Sequence, residues 1–311
     1  MPGRRKKRVA VWIALLAVLL AGLWRLAGDH LPVGQNGSDA PAVSEGSQLT
    51  AEFLDVGQGD CSLFILPDGK TLLIDAGNRA DGDEIADYLK GKGIGRIDYL
   101  IATHPHADHI GGMRAVIEAF EIGRVFAPKV ADADIPTGKT YQEFLTAVRD
   151  KGLKITAARQ GMVLFEGDGY RADCLAPCGE GYESLNNYSV VVKLSHGQNS
   201  FLMTGDAEQE SEAELVAAGG DVGCDVLKVG HHGSSTSTSA AFLKAASPTY
   251  AVISCGKDNS YGHPHAETLK ALQASEGLEK IFRTDTDQTV IMTSDGKNPV
   301  RYTVGNPSAV K

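Results

Sequence analysis

The sequence predicts an α/β fold, a four-layer αββα sandwich preceded by one N-terminal transmembrane helix. Three observations predict it. Two stretches pass through the same order of elements at a nearly constant offset, 131 positions from Asp75 to Asp206 and 127 from His104 to His231. That offset reads as a duplicated βα half. Each half has apolar strand runs and a helical pattern, so each is a sheet with helices on one side, and the two pack sheet against sheet. Finally, a basic cluster and an uncharged apolar run stand ahead of everything else.

The head comes first. Arg4 to Arg8 are all basic, and Val9 to Trp24 carry no charge. As a helix the run spans about 24 Å, a little short of a hydrocarbon core of about 30 Å. Arg25 can snorkel and let the span continue to Gly28. Residues 1–28 therefore read as a basic tail and a single-pass anchor. A cleaved signal peptide is the alternative, although no small-x-small site directly follows the apolar run. Either way the body lies outside the cytoplasm, anchored in the cell membrane or secreted. Residues 29–48, rich in Gly, Ser, Pro, Asn and Asp, form a flexible linker. The folded domain covers 49–311.

In the first half, Ser62–Leu66 and Thr71–Asp75 are strands joined by the turn Pro67-Asp-Gly-Lys70. A helix around Asp83–Lys90 follows, then the strand Asp98–Thr103, which runs into a histidine-rich loop. In the second half, Ser189–Leu194 turns at His196-Gly-Gln-Asn199 and returns as Ser200–Thr204. A helix around Glu208–Ala217 leads to the strand Asp225–Val229 and a second histidine loop. Ligand sites in α/β sheets favour the carboxyl ends of strands, where both loops lie.

Composition narrows the class. With 42% hydrophobic and 22% charged residues among 311, the chain is neither disordered nor a coiled coil. Five cysteines are too few for a disulfide scaffold; Cys174 and Cys178, four apart, leave one local bridge open. The net charge of −9 hides an asymmetry: six basic residues against Asp29 in the first thirty, then 24 basic against 38 acidic residues, a body of −14. An acidic body argues against a broad nucleic-acid-binding surface.

Seven of nine histidines fall in three short clusters. His104, His106, Asp108 and His109 share six positions. Imidazole and carboxylate suit zinc, manganese or iron. His104 and His106 can hold one ion while Asp108 and His109 face a second, an arrangement for activating water between two metals. The other clusters are His231-His232 and His263-Pro-His265.

These residues carry a resemblance. His-x-His-x-Asp-His resembles the signature of the metallo-β-lactamase superfamily. Phe53-Leu-Asp-Val-Gly-Gln-Gly-Asp60, Asn186-Asn-Tyr-Ser-Val190, Leu202-Met-Thr-Gly-Asp206, Val226–Ser234 and Arg283-Thr-Asp285 resemble its ComEC-type competence branch. The resemblance covers about Leu49 to Ser294. It implies the αββα fold, two divalent metal ions (zinc, with manganese as alternative) and hydrolysis of esters, amides or phosphodiesters. It implies that Asp206 bridges both metals and that Asp75 orients a ligand histidine. It also implies that the loop at His231 and His232 supplies the last histidine. Adjacent residues of an extended loop point apart, so His232 is taken as the ligand and His231 as a substrate contact. His263 is a further ligand or a general acid, and His265 caps a helix at Ala266–Ala274 or faces solvent.

One ligand does not transfer. The family often places another histidine shortly before the bridging aspartate, and the nearest here is His196. As a hairpin-turn residue it sits at the far end of the strand from Asp206, roughly 30 Å away at about 3.3 Å per residue, and reads as exposed. Asn186, Asn187 or Ser189 then face the substrate where that histidine would be, with Asn187 the substrate-binding choice. Ala131–Thr140 reads as a loop that lines the cleft.

The expected function is a membrane-anchored, extracytoplasmic, binuclear metal-dependent hydrolase. The metals sit on His104, His106, Asp108, His109, Asp206, His232 and His263, with Asp108 and His263 as catalytic residues. The substrate expected is a phosphodiester, possibly DNA. The alternatives are an esterase acting on a cell-wall or surface component, and a non-catalytic DNA-uptake or partner-binding module.

Overall fold

A computed structural model describes residues 47–305. The expected anchor, and the expected linker apart from Ser47 and Gln48, lie outside the described residues. Among the described residues no helix is long and apolar enough to cross a membrane.

Fifteen described strands form two sheets. They are β1 Leu49–Phe53, β2 Ser62–Ile65, β3 Thr71–Ile74, β4 Arg96–Ile101, β5 Glu121–Pro128, β6 Ile155–Ala158, β7 Met162–Gly167, β8 Tyr170–Ala176, β9 Val191–His196, β10 Asn199–Met203, β11 Val226–Lys228, β12 Tyr250–Ile253, β13 Lys280–Arg283, β14 Val290–Ser294 and β15 Arg301–Val304. The first sheet runs β15-β14-β1-β2-β3-β4-β5-β6 and the second β13-β12-β11-β10-β9-β8-β7. The repeat recurs in the pairing. β2 and β3 are antiparallel and β3 and β4 parallel; β9 and β10 are antiparallel and β10 and β11 parallel.

Strand alternation makes the layers. Leu72 and Ile74 point into a core between the sheets, where they meet Phe64, Phe201, Met203 and Val226. Leu73 points the other way, onto the helices α1 Gly82–Gly91, α2 Ala107–Ile110, α3 Met113–Ala119 and α4 Lys139–Asp150. In the second sheet Phe201 and Met203 face inward. Leu202 faces α5 Gln209–Ala217, α6 Ala240–Ala246 and α7 Ala266–Gln273. The sandwich expected from the duplicated pattern is the fold observed.

His196 is a correction. It ends β9 at the hairpin turn and pairs with Asn199, far from Asp206 along the strand, but it is fully buried. The turn packs under the other sheet: the His196 ring lies 2.8 Å from Ser294 Oγ on β14, and Gln198 N donates to Gly296 O. Cys174 and Cys178 are separate thiols, so the local disulfide left open by their spacing is absent.

Candidate metal centre

Asp75 directly follows β3, the His104–His109 loop follows β4, Asp206 follows β10, His231 and His232 follow β11, and His263 lies beyond β12. The strands before these loops run parallel within each sheet, so their carboxyl ends share an edge. The Gly-Gly after the first histidine cluster has a packing reason. A Cβ on Gly112 would stand 2.2 Å from Ala76 O, and one on Gly111 would stand 2.3 Å from Arg79 N. Only bare backbone lets α2 press onto the Asp75 loop and bring His109 to it.

Asp75 organises that contact. Its Oδ1 accepts from Thr103 N at 2.8 Å and its Oδ2 from Thr103 Oγ1 at 2.7 Å. The same Oδ2 lies 2.7 Å from His109 Nδ1. Held there, His109 turns Nε2 toward Asp206 Oδ1, 3.2 Å away. Thr103 Oγ1 also lies 3.1 Å from His104 Nδ1, and Ser254 O lies 3.0 Å from His232 Nδ1. An imidazole that donates through Nδ1 carries its lone pair on Nε2. Those lone pairs converge. His104 Nε2 is 3.1 Å from His106 Nδ1 and 3.8 Å from Asp206 Oδ2. His232 Nε2 is 3.2 Å from Asp108 Oδ2 and 3.5 Å from Asp206 Oδ2.

These spacings fit a metal. Donors at zinc distances on a tetrahedron stand about 3.3 Å apart, within the 3.1 to 3.8 Å seen here. His109 Nε2 and Asp206 Oδ1 are buried and neither has a hydrogen-bond partner, a cost that a shared cation removes. The charge agrees. Asp60, Asp75, Asp108 and Asp206 gather here around a single lysine, Lys228. Burial alone would push the Asp206 carboxyl up, but His109 and His232 outweigh it and hold it well down. Burial likewise opposes a proton on His109, yet Asp206 and Asp75 raise its affinity for one well above the ordinary value. Such a proton is what a divalent ion displaces.

Asp60, Lys228 and Glu208 were not assigned roles by the sequence reading. Asp60, His109, Asp206 and His232 form a buried cluster whose potential ligand atoms lie within 4.8 Å of one another. Asp60, however, meets the Nδ1 sides of the two rings, at 3.4 Å from His232 and 3.8 Å from His109. Those nitrogens already face Ser254 O and Asp75, so Asp60 stands behind the two imidazoles, away from Asp206. Its Oδ2 is 2.5 Å from Lys228 Nζ, and Lys228 also donates to Gly205 O at 3.3 Å. A lysine amid Val-Leu-Lys-Val and an aspartate between glycine and a buried strand were the available signals.

Other expectations change. Asn187 is buried and its amide is used at the start of α5: Oδ1 accepts from Glu208 N at 3.1 Å and Nδ2 donates to Glu210 at 2.9 Å. Ser189 Oγ accepts from Asp206 N at 3.0 Å. Asn186 is the member of the trio beside the site, with Nδ2 3.5 Å from the His231 ring. His231 and His232 do not point apart; both reach Asp206 Oδ2. His263 is buried, and its Nδ1 has no partner. Burial, with His232 and His231 nearby, lowers its pKa to about 4, so it is a neutral imidazole at pH 7. His265 tethers two loops, accepting from Ser235 N at 2.9 Å and lying 3.2 Å from Tyr261 O.

A cleft of about 300 Å³ opens over the site, lined by Gln58, His106, Ala107, Asp108, Asp206, His231, His232, Tyr261 and His263. Ile135 from the Ala131–Thr140 segment instead lines a separate, mostly apolar hollow of about 180 Å³ beside His104.

The comparisons agree with this geometry. The family model described as the metallo-beta-lactamase superfamily matches residues 54–257. ComE operon protein 3 of Bacillus subtilis is 33% identical over 261 residues, covering 78% of this chain and 33% of that protein. Competence protein ComA of Neisseria gonorrhoeae is 32% identical over 282 residues, covering 89% of this chain and 37% of that one. The chain thus spans about a third of the length of these ComEC-type relatives. The structure of Igni18, a metallo hydrolase from Ignicoccus hospitalis, shares the fold at a TM-score of 0.50 and 16% identity, covering 78% of this chain and 98% of that one. With its signature loop, duplicated sandwich and convergent donors in place, the chain belongs to the metallo-β-lactamase superfamily.

Proposed function

We propose that the chain is a membrane-anchored, extracytoplasmic, binuclear metal-dependent hydrolase that cleaves phosphodiesters, with DNA the leading substrate. The observation that carries it is the convergence of imidazole nitrogens and the Asp108 carboxylate on Asp206, at 3.2 to 3.8 Å or through a shared neighbour, at the floor of an open cleft. Two divalent ions, zinc or manganese, would supply a hydroxide at neutral pH and stabilise the charge of a displacement there.

The chain's own residues set the conditions. Asp108 and Asp206 line the cleft, with Asp60 and Asp75 behind the histidine rings, so the carboxylates favour a divalent cation there. His263, neutral at pH 7, lines the cleft wall, where its ring can make a hydrogen bond to a substrate. Tyr261 is 65% exposed and stacks on His263 at 5.6 Å, which offers a flat group such as a base a ring to lie on. The names of the relatives support a DNA-related role. The −14 body supports a short segment in the cleft rather than a long duplex on the surface. It also favours one second reading, an esterase acting on a small surface component such as a choline phosphodiester.

The test is turnover of bis-(p-nitrophenyl) phosphate, single-stranded and plasmid DNA, a phosphocholine ester and a β-lactam by the zinc- or manganese-loaded full chain. Phosphodiester cleavage that Asp108→Ala and His104→Ala abolish supports the proposal. Less than one ion per chain with no turnover overturns it.

A further inference from the structure

We propose that His231 supplies the third imidazole of the first metal site, the position the chain leaves open before Asp206, and that Glu208 fixes its orientation. The inference rests on the two-metal reading above and assigns a residue to it. His231 has φ 48° and ψ 48°, and His232 has φ 53° and ψ 22°. In an extended segment neighbouring side chains alternate sides; two successive left-handed residues narrow that divergence to about 100°, so both rings can reach toward one side. His231 Nε2 and His232 Nε2 thereby lie 3.8 and 3.5 Å from the same oxygen, Asp206 Oδ2. Side chains with a Cβ seldom hold that conformation, and where they do the surroundings over-determine it.

Those surroundings are visible. His231 Nδ1 lies 3.3 Å from Glu208 Oε1 and 3.1 Å from Thr236 Oγ1. Glu208 Oε1 is itself held by Thr236 Oγ1 at 2.9 Å and Asn186 Nδ2 at 3.3 Å. A carboxylate on Nδ1 leaves Nε2 as the ligating atom, the arrangement that supports metal-bound histidines generally. On this assignment His231 joins His104, which also stands 3.8 Å from Asp206 Oδ2 and 3.1 Å from His106. Asp108, His109 and His232 are left to the other ion, with Asp206 reached by His109 at Oδ1 and by His232 at Oδ2.

The test is metal stoichiometry and affinity of the full chain by elemental analysis and chelator competition, with cobalt absorption as a measure of imidazole ligation. His231→Asn, chosen because Asn tolerates the left-handed conformation, is expected to keep one ion. The second should weaken by at least about 100-fold, beyond what loss of a supporting partner costs. Its metal-free melting temperature should equal or exceed that of the native chain, which a merely structural histidine would not allow. Glu208→Gln should weaken the same ion by about 10- to 100-fold and carries the test if His231→Asn does not fold. His196→Ala should leave both ions in place. Two ions at native affinity in His231→Asn, or in Glu208→Gln if the first variant does not fold, overturn the inference and leave the hydrolase reading standing. A native chain that binds no metal overturns both.

Discussion

Asp60 and Lys228 form a buried ion pair, carboxylate to ammonium at 2.5 Å, on the blind side of His109 and His232. The lysine is the one described permanent cation touching a cluster of four carboxylates, and it also holds the carbonyl of Gly205, the residue before Asp206. The pair therefore couples the back of the site to the peptide that carries its central carboxylate.

Lys228→Met leaves Asp60 buried and uncompensated. The expected loss is about 3–5 kcal/mol of stability, read by urea denaturation of the metal-free chain. Asp60→Asn combined with Lys228→Met should recover most of it. Recovery of nothing would mean that the lysine acts through packing alone.

The same pair predicts an acid limb. Burial by itself raises the Asp60 carboxyl, but Lys228, then His232 and His109, bring it from 3.8 to about 2. A depressed acid stabilises fully above its unfolded value and loses that contribution as pH falls toward its folded value. Metal-free native chain should therefore lose stability between pH 4 and 2 more steeply than Asp60→Asn, as followed by melting temperature.

Asp75→Asn keeps the shape but removes the charged acceptor for His109 Nδ1. Metal affinity should fall by about 10- to 100-fold in a chelator competition, with the fold retained by circular dichroism.

Gly112→Ala places a methyl 2.2 Å from Ala76 O. Overpacking of this kind costs about 1–3 kcal/mol. Because the same contact delivers His109 to Asp75, the variant should lose melting temperature and metal affinity together. A loss of stability alone would separate the two.

Tyr261→Ala should raise KM for oligonucleotides while leaving kcat and the metal content unchanged. Stacking on one aromatic ring is worth about 1–3 kcal/mol per base, so the expected rise is roughly 5-fold or more. Tyr261→Phe should retain native KM, and equal KM values for the alanine variant would remove the stacking role.

Most of the fold was legible, because strand alternation and the repeated order of elements are local properties of the chain. Leu72-Leu73-Ile74 and Phe201-Leu202-Met203 each divide between the two cores as a period of two requires. That His104, His106, Asp108, His109 and Asp206 lie together at one edge was legible too, since residue type and spacing mark them as a cluster. Tertiary structure decided the rest. His196 looked like a solvent-facing turn, but a strand of the other sheet closes over it. Asn187 looked free for substrate, but the first turn of α5 takes its amide. Asp60 and Lys228 stand 168 positions apart, and only the stacking of the two sheets makes them partners. The direction of His231 depended on backbone dihedrals that its neighbours enforce, and no side-chain periodicity encodes a left-handed pair. The sequence alone thus determined which candidate metal-binding groups the chain carries and at which strand ends they lie. The packing of two sheets determined which of them share one aspartate, because convergence is a property of distance and not of order along the chain.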